Sequence, residues 1–134
     1  MVGKLVEISV ETRKRVELVD VTSRLQQAVR DSGVAEGLLM ACVQHTTAGL
    51  TINENADPDV VRDLLAHLEK LVPENGSFHH SEGNSDAHIK SSLVGATLTL
   101  PISQGQLVLG TWQGVYFCEF DGPRSRRLLA RVVG

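Results

Sequence analysis

The chain has 134 residues, of which thirteen are Lys or Arg and sixteen Asp or Glu, for a formal net charge of -3. That length points to one domain, able to bury roughly two-thirds of its unfolded surface without help from a disulfide or metal. A hydrophobic fraction of 42% and a charged fraction of 22% exclude a disordered chain or a coiled coil, and the acidic balance argues against a nucleic-acid partner.

Charged Lys4 and Glu7 fall where a signal peptide would carry its apolar core. No apolar run approaches the length needed to span a bilayer. The expected setting is the cytoplasm, with no membrane partner. Cys42 and Cys118 each sit inside an apolar stretch without a C-x-x-C, which reads as two buried, reduced thiols.

Lys4 to Glu11 alternates, with Ile8 and Val10 on one side and Glu7 and Ser9 on the other, as in a half-buried strand. Arg15 to Val19 reads as a second strand, and the charged Thr12-Arg13-Lys14 between them suggests a hairpin. Val21, Leu25, Ala28 and Val29 recur at helical spacing, with Asp20 or Thr22 as N-cap and Gly33 as a left-handed stop. The apolar run Gly37 to His45 predicts a buried central strand. Leu50 to Asn53 predicts a further short strand.

Asp57-Pro58-Asp59 supplies an N-cap, a proline at the first helical position and an acid at the positive end of the helix dipole. Val60, Val61, Leu64, Leu65, Leu68, Leu71 and Val72 then form one apolar stripe that Pro73 ends, with His67 at its edge as a partly buried structural residue. Pro73 to Asn84 is a polar loop. Ser85 is expected to cap a short helix that stops near Gly95. Strands follow at Ala96 to Leu100, Leu107 to Leu109, Trp112 to Phe120 and Arg126 to Val133, with a turn over Pro101 to Gln106. The order ββαββααββββ lacks regular βαβ alternation and predicts a single α+β sandwich domain with a largely antiparallel sheet and helices packed on it.

His45 closes a predicted strand, His80 lies in the polar loop and His88 opens a helix. Three neutral imidazoles with an open position match a catalytic zinc-type site. Solvated surface histidines are the competing reading, because the spacing is not diagnostic. Asn53, Glu54, Asn55 and Asp57 form a polar cluster of which an Asx turn and N-cap explain only part. Trp112 reads as core payload, whereas Gln113 and Glu119 have no comparable packing role and point toward a pocket. Arg124, Arg126 and Arg127 follow Asp121-Gly122-Pro123. Their planar forks suit phosphate or carboxylate oxygens, with a solvated turn as the alternative. No Walker loop, dinucleotide fingerprint or nucleophile elbow is present.

Taken together, the strings from His45 through Asn53-Glu54-Asn55-Ala56-Asp57-Pro58, then Glu82-Gly83-Asn84-Ser85, Ala87-His88-Ile89-Lys90, Gly110-Thr111-Trp112-Gln113-Gly114 and Cys118 through Arg124 resemble the YjbQ-like family. The resemblance covers essentially the whole chain. It implies a compact α+β fold, a homotrimer, and secondary thiamine-phosphate synthase activity, in which a pyrimidine pyrophosphate is joined to a thiazole phosphate with release of pyrophosphate. It implies metal ligation by His45, His80 and His88. Asn53, Glu54, Asp57, Lys90, Gln113 and Glu119 fall at matching motif positions as catalytic candidates. Arg124 and Arg127 are the phosphate-binding candidates. The three histidines favour zinc, whereas a pyrophosphate substrate favours magnesium. The alternatives are a metal-dependent hydrolase of a phosphorylated small molecule and a non-catalytic metal- or ligand-binding trimer.

Overall fold

The computed structural model describes residues 1–134. Its elements run β1 (Val6–Glu11), β2 (Glu17–Asp20), α1 (Thr22–Ser32), β3 (Gly37–Val43), β4 (Ala48–Glu54), α2 (Pro58–Leu71), α3 (Ser85–Val94), β5 (Thr97–Ser103), β6 (Gln106–Leu107), β7 (Gln113–Glu119) and β8 (Ser125–Val133). The order is the expected one. The strands form a five-stranded sheet, β1-β8-β3-β5-β6, and a three-stranded sheet, β2-β7-β4, with every pairing antiparallel.

The two sheets face each other across the main core. Ile8, Leu39, Leu100 and Leu128 come from one sheet and Leu50, Val115 and Phe117 from the other, with Leu25 and Val29 of α1 closing the side. On the far face of the smaller sheet, Tyr116, Cys118 and Phe120 pack with Ala87 of α3 and with Val61 and Leu68 of α2. Strand β7 is therefore covered on both faces, which is why its residues from Gly114 onward are buried. Burial pushes the Cys118 thiol up to about 12, so it is an inert core residue. No helix is long and apolar enough to cross a membrane.

Several local expectations differ from what the chain does. β1 and β2 form no hairpin, because β1 pairs with β8 and β2 with β7 in the other sheet. The crossing is fixed by Arg15, whose guanidinium makes two hydrogen bonds, of 3.2 and 3.1 Å, to the fully buried carboxylate of Asp86 on α3. β3 is central but covered on one face only: Leu39, Ala41 and Val43 enter the core, while Leu38 and Met40 remain 46% and 53% exposed. Asp20 serves α1 from one residue before the cap position, accepting from the Thr22 N–H at 2.9 Å, and Gly33 stops the helix at a φ of 73°.

Asp57 caps α2 by accepting from the Asp59 N–H, as expected, but none of the helix's residues is buried and His67 is exposed. Helix α2 rests on the far face of the small sheet through the half-buried Val61 and Leu68. The N-cap of α3 is Asn84 rather than Ser85. Strand β5 runs through Pro101, and its turn shrinks to Gln104-Gly105, both at positive φ, which suits a tight hairpin. Pro101 is tolerated because its carbonyl, on the same side as its missing N–H, faces the two-residue strand β6, where little ladder is lost. Trp112 is 62% exposed on the turn before β7, so it is not core payload.

One ion pair ties the two sheets together. Glu119 at the end of β7 and Arg126 on β8 are 0% and 7% exposed, and the guanidinium holds the carboxylate at 2.8 Å through Nε and 2.5 Å through the second nitrogen. A second buried pair joins Lys90 to Asp86, at 3.1 Å, within α3, and Lys90 also reaches Glu69 of α2 at 2.7 Å. Burial alone would raise the Glu119 and Asp86 carboxyls. The hydrogen bonds and charges of Arg126 for one, and of Arg15 and Lys90 for the other, outweigh it and hold both below the usual carboxylate range.

Arg126→Met strands an unpaired buried carboxylate and is expected to cost about 3–5 kcal/mol of unfolding free energy. Most of that loss should return in the double change Arg126→Met with Glu119→Leu, as read by denaturant titration. Both carboxyls titrate lower in the folded than in the unfolded chain, so the unfolded chain takes up protons first as the pH falls. Their stabilisation is present above the ordinary carboxylate pKa of about 4 and lost through the depressed folded values. Thermal midpoints should therefore fall below about pH 4, less steeply in Glu119→Gln.

Candidate functional site

The sheet-tying pair lies at one end of the sandwich, and the chain segments that meet there form a polar cleft. The connection from β3 to β4 supplies Gln44, His45, Thr46 and Thr47. The loop before α3 supplies Glu82 and Asn84, α3 itself His88, and the connection into β8 Asp121, Arg124 and Arg126. The cleft encloses about 330 Å³ and has no hydrophobic residue in its walls.

Each wall is fixed by named bonds. Arg126 donates to the Thr47 hydroxyl at 2.8 Å, and the Thr47 carbonyl accepts from the Phe120 N–H at 3.2 Å. The Ser91 hydroxyl donates to the Thr46 carbonyl at 2.6 Å, which pins α3 to the same segment. Gly49 allows this approach: a Cβ there would lie 2.6 Å from the Gly95 carbonyl oxygen. Thr12 donates to Glu119 at 2.8 Å and accepts from the Arg124 N–H at 2.8 Å. Gly122 is needed where the chain passes Lys14, whose carbonyl oxygen would be 2.4 Å from a Cβ.

His45 is half-buried, and its Nε2 accepts from the Arg127 backbone N–H at 3.1 Å. Burial, then the charges of Arg126 and Arg127, push its pKa below the ordinary histidine value. The ring is thus neutral at physiological pH. With Nε2 accepting, Nδ1 carries the proton and His45 offers a donor. His88 shares the cleft with His45, and its ring meets that of His80 edge-on, with centroids 5.4 Å apart. His80 in turn has Nε2 3.7 Å from a Glu82 carboxylate oxygen.

A second cleft of about 560 Å³ adjoins the first and is lined by His45, Thr46, Ala48, His88, Ser91, Ser92, Gly95 and Ala96. His45, Thr46 and His88 stand in the walls of both.

The three expected metal ligands are thus neighbours through His88, but no three His, Cys, Asp or Glu side chains converge on one point suited to a metal ion. The lone pair of His45 Nε2 already faces an N–H. As arranged, this donor set does not fit a three-imidazole centre for zinc.

The remaining predicted residues separate. Arg124 lines the cleft, half-exposed, with its guanidinium on Asp121 at 3.0 Å. Glu119 lies beneath the cleft as the partner of Arg126. Arg127 points outward to Glu7 at 3.1 Å and contributes only its backbone N–H. Lys90 is buried between Asp86 and Glu69, outside the cleft walls. Asn53, Glu54, Asp57 and Gln113 sit at the opposite end of the small sheet. There β4 pairs Ala48 with Glu119 and, six residues on, Glu54 with Gln113, a span of about 20 Å. At that end Asn53 accepts from the Glu54 N–H at 2.7 Å, Gln113 accepts from the Gly110 N–H at 2.7 Å, and Asp57 caps α2.

Sequence reasoning missed Thr47, Asn84 and Asp121 and gave Arg126 no separate role. Arg126 had a readable signal, since it is in phase with Leu128, Ala130 and Val132 on the buried face of β8. Asn84 had none. It is 9% exposed, donates from Nδ2 to Asp121 at 2.8 Å, and leaves its Oδ1 without a partner.

The architecture and cleft define a class: a small two-sheet α+β sandwich with a histidine-, arginine- and amide-lined pocket at one sheet end. The model of the UPF0047, YjbQ-like family matches residues 6–134. A UPF0047 protein of Methanocaldococcus jannaschii is 50% identical, covering 100% of this chain and 97% of its own length, and YugU of Bacillus subtilis is 45% identical over 95% and 97%. A YjbQ/UPF0047 crystal structure from Clostridium acetobutylicum superposes with a TM-score of 0.94 at 49% identity, covering 96% of this chain and 99% of that one. A YbjQ-like protein of unknown function from Sulfolobus solfataricus gives 0.95 at 32% identity, over 100% and 98%. The chain belongs to the YjbQ-like UPF0047 family.

The His45 resonance followed by NMR should titrate with a midpoint below about 6.5. Arg127→Gln, which keeps the backbone N–H and removes one repelling charge, should raise that midpoint.

Proposed function

We propose that this chain is a transferase of the secondary thiamine-phosphate synthase kind, joining a pyrimidine pyrophosphate to a thiazole phosphate. The observation that carries the reading is the pair of adjoining clefts that share His45, Thr46 and His88. A two-substrate reaction requires both reactants to reach one set of side chains in attack geometry, and two adjoining clefts with His45, Thr46 and His88 in their common wall support that reading. The thiazole nitrogen forms the new C–N bond as the pyrimidine methylene C–O bond breaks, and pyrophosphate leaves with the electron pair. Arg124 and the Nδ1–H of neutral His45 stabilise the charge on the departing oxygens, and His88 supplies a proton to them. Lys90, already neutralised by Asp86 and Glu69, takes no part.

A second reading is favoured by the charge balance. Arg124 and Arg126 are already paired with Asp121 and Glu119, which leaves little free positive charge for a pyrophosphate and suits hydrolysis of a phosphorylated small molecule. The two are separated by incubating purified protein with both substrates and with each alone. Thiamine phosphate appearing only with both supports the synthase, and phosphate release without the thiazole supports the hydrolase. His88→Ala should lower the synthase rate by about 10²–10⁴. Absence of product, together with failure of the overexpressed chain to rescue growth of a strain lacking the principal synthase, overturns the synthase reading.

We propose also that the chain assembles as the homotrimer the family resemblance implies. Support comes from the uncovered outer face of the five-stranded sheet, where Leu5, Met40, Cys42, Leu98 and Leu129 line an apolar hollow of about 320 Å³. An exposed apolar sheet face of this kind is a contact surface in search of a cover. Light scattering should give three times the chain mass, and Met40→Asp should shift it to one.

A further inference from the structure

We infer that Ser91 is the positioning residue of the paired clefts: its hydroxyl, bonded to the Thr46 carbonyl, sets the separation and angle between the His45 and His88 side chains. This role rests on the reading that both histidines act on one pair of reactants.

The two histidines belong to elements that meet at few points. His45 lies in the connection from β3 to β4, and His88 lies on α3. Beyond the C-terminal end of α3, two backbone bonds tie the chain to those strands, from the Leu50 N–H to the Gly95 carbonyl at 3.0 Å and from the Val43 N–H to the Ala96 carbonyl at 2.8 Å. That end is roughly 10 Å along the helix from His88, so a tilt of about 5° around it would carry His88 by roughly 1 Å. The ion pairs of Asp86 and Lys90 hold α3 toward Arg15 and α2 instead. Ser91 follows Lys90 directly and so points about 100° around the helix from it. Its bond to the Thr46 carbonyl, at 2.6 Å, joins the turn after His88 to the residue after His45.

The hydrogen of that hydroxyl has one best destination. A serine carries a single O–H, and two carbonyls lie within its reach, Thr46 at 2.6 Å and His88 at 3.0 Å. The His88 carbonyl also accepts from the Ser92 hydroxyl at 3.0 Å. The Thr46 carbonyl, outside any strand or helix, accepts from Ser91 alone. Donation to Thr46 leaves neither carbonyl unserved, whereas donation to His88 would strand one. Ser91 is buried, so water does not compete freely for the bond. The far side of the link is equally fixed. His45 Nε2 accepts from the Arg127 N–H at 3.1 Å, and the Thr47 hydroxyl accepts from Arg126 at 2.8 Å. A displacement of Thr46 is therefore passed to the His45 ring instead of being absorbed by a loose loop.

The test combines NMR of the histidine ring protons with turnover. In Ser91→Ala the signals of both His45 and His88 should shift, while those of His67, exposed on α2, stay in place. Ser92→Ala is the matched control. It removes a hydroxyl from the same His88 carbonyl but none from Thr46, so it should leave the His45 signals where they are. With both reactants present, Ser91→Ala should lower kcat about 10- to 100-fold, and calorimetric affinity for each reactant alone should stay within about twofold, the pattern of groups misplaced but not removed. Thr keeps the hydroxyl and Val has its shape without it. Ser91→Thr should retain, and Ser91→Val lose, the native His45 signals and kcat, which decides the matter should Ser91→Ala not fold. Unchanged His45 signals in Ser91→Ala, an equal shift in Ser92→Ala, a kcat unaltered per folded molecule, or a Thr variant no better than Val overturns the inference and leaves Ser91 as a carbonyl's hydrogen-bond partner only. A native chain that makes no thiamine phosphate ends the synthase reading, and the His45 and His88 signals then decide the role of Ser91 on their own.

Discussion

The structure depends on the buried pair between Glu119 and Arg126. The two residues belong to different sheets, and the same guanidinium reaches the Thr47 hydroxyl. One contact thus sets the distance between the sheets at their open end and holds the segment that carries His45. Isolated buried ions are costly. Here the cost is offset because every strong site on the carboxylate is used: Arg126 twice, the Thr12 hydroxyl and the Asp121 N–H. Hydrophobic packing alone would hold the sheets together, but it is non-directional and would not place a histidine to within a hydrogen-bond length.

The chemistry of the cleft follows from that frame. Positive charge from Arg126 and Arg127 acts on His45 together with burial, so the ring is neutral where a solvated histidine would be partly protonated. Asp121 is shared between Asn84 and Arg124, which couples the rim cation to the buried amide. The second ionic network, Arg15–Asp86–Lys90–Glu69, lies behind α3 and presents that helix to the cleft without entering it. Two acid–base networks therefore divide the work. One fixes the helix, the other fixes the loops, and the histidines stand between them.

Much of the architecture was legible in the residues because periodicity is a local property. Alternation in Val6–Glu11 and in Ser125–Val133, the Asp57-Pro58 start of α2 and the Gly33 stop of α1 each express a constraint that neighbouring residues satisfy among themselves. The errors fell where a distant partner decided. Thr12-Arg13-Lys14 looks like a hairpin turn until Arg15 is drawn to Asp86. Leu38 and Met40 look like core until the outer face of their sheet is left bare. Lys90, at an otherwise plausible catalytic position, is consumed by an ion pair that no spacing rule announces.

What the linear chain determined by itself was its element order, its α+β class and its family, all of which rest on short-range pattern and on long strings of matching residues. The tertiary structure decided which polar residues meet. His45, His88 with Asn84, and Arg124 come from three separated segments and gather at one sheet end, while Asn53, Glu54, Asp57 and Gln113 are carried to the other by the length of β4. A strand keeps its ends apart however alike their residues look, and loop closure brings together groups that sequence distance separates. Function in this molecule is a matter of those two lengths.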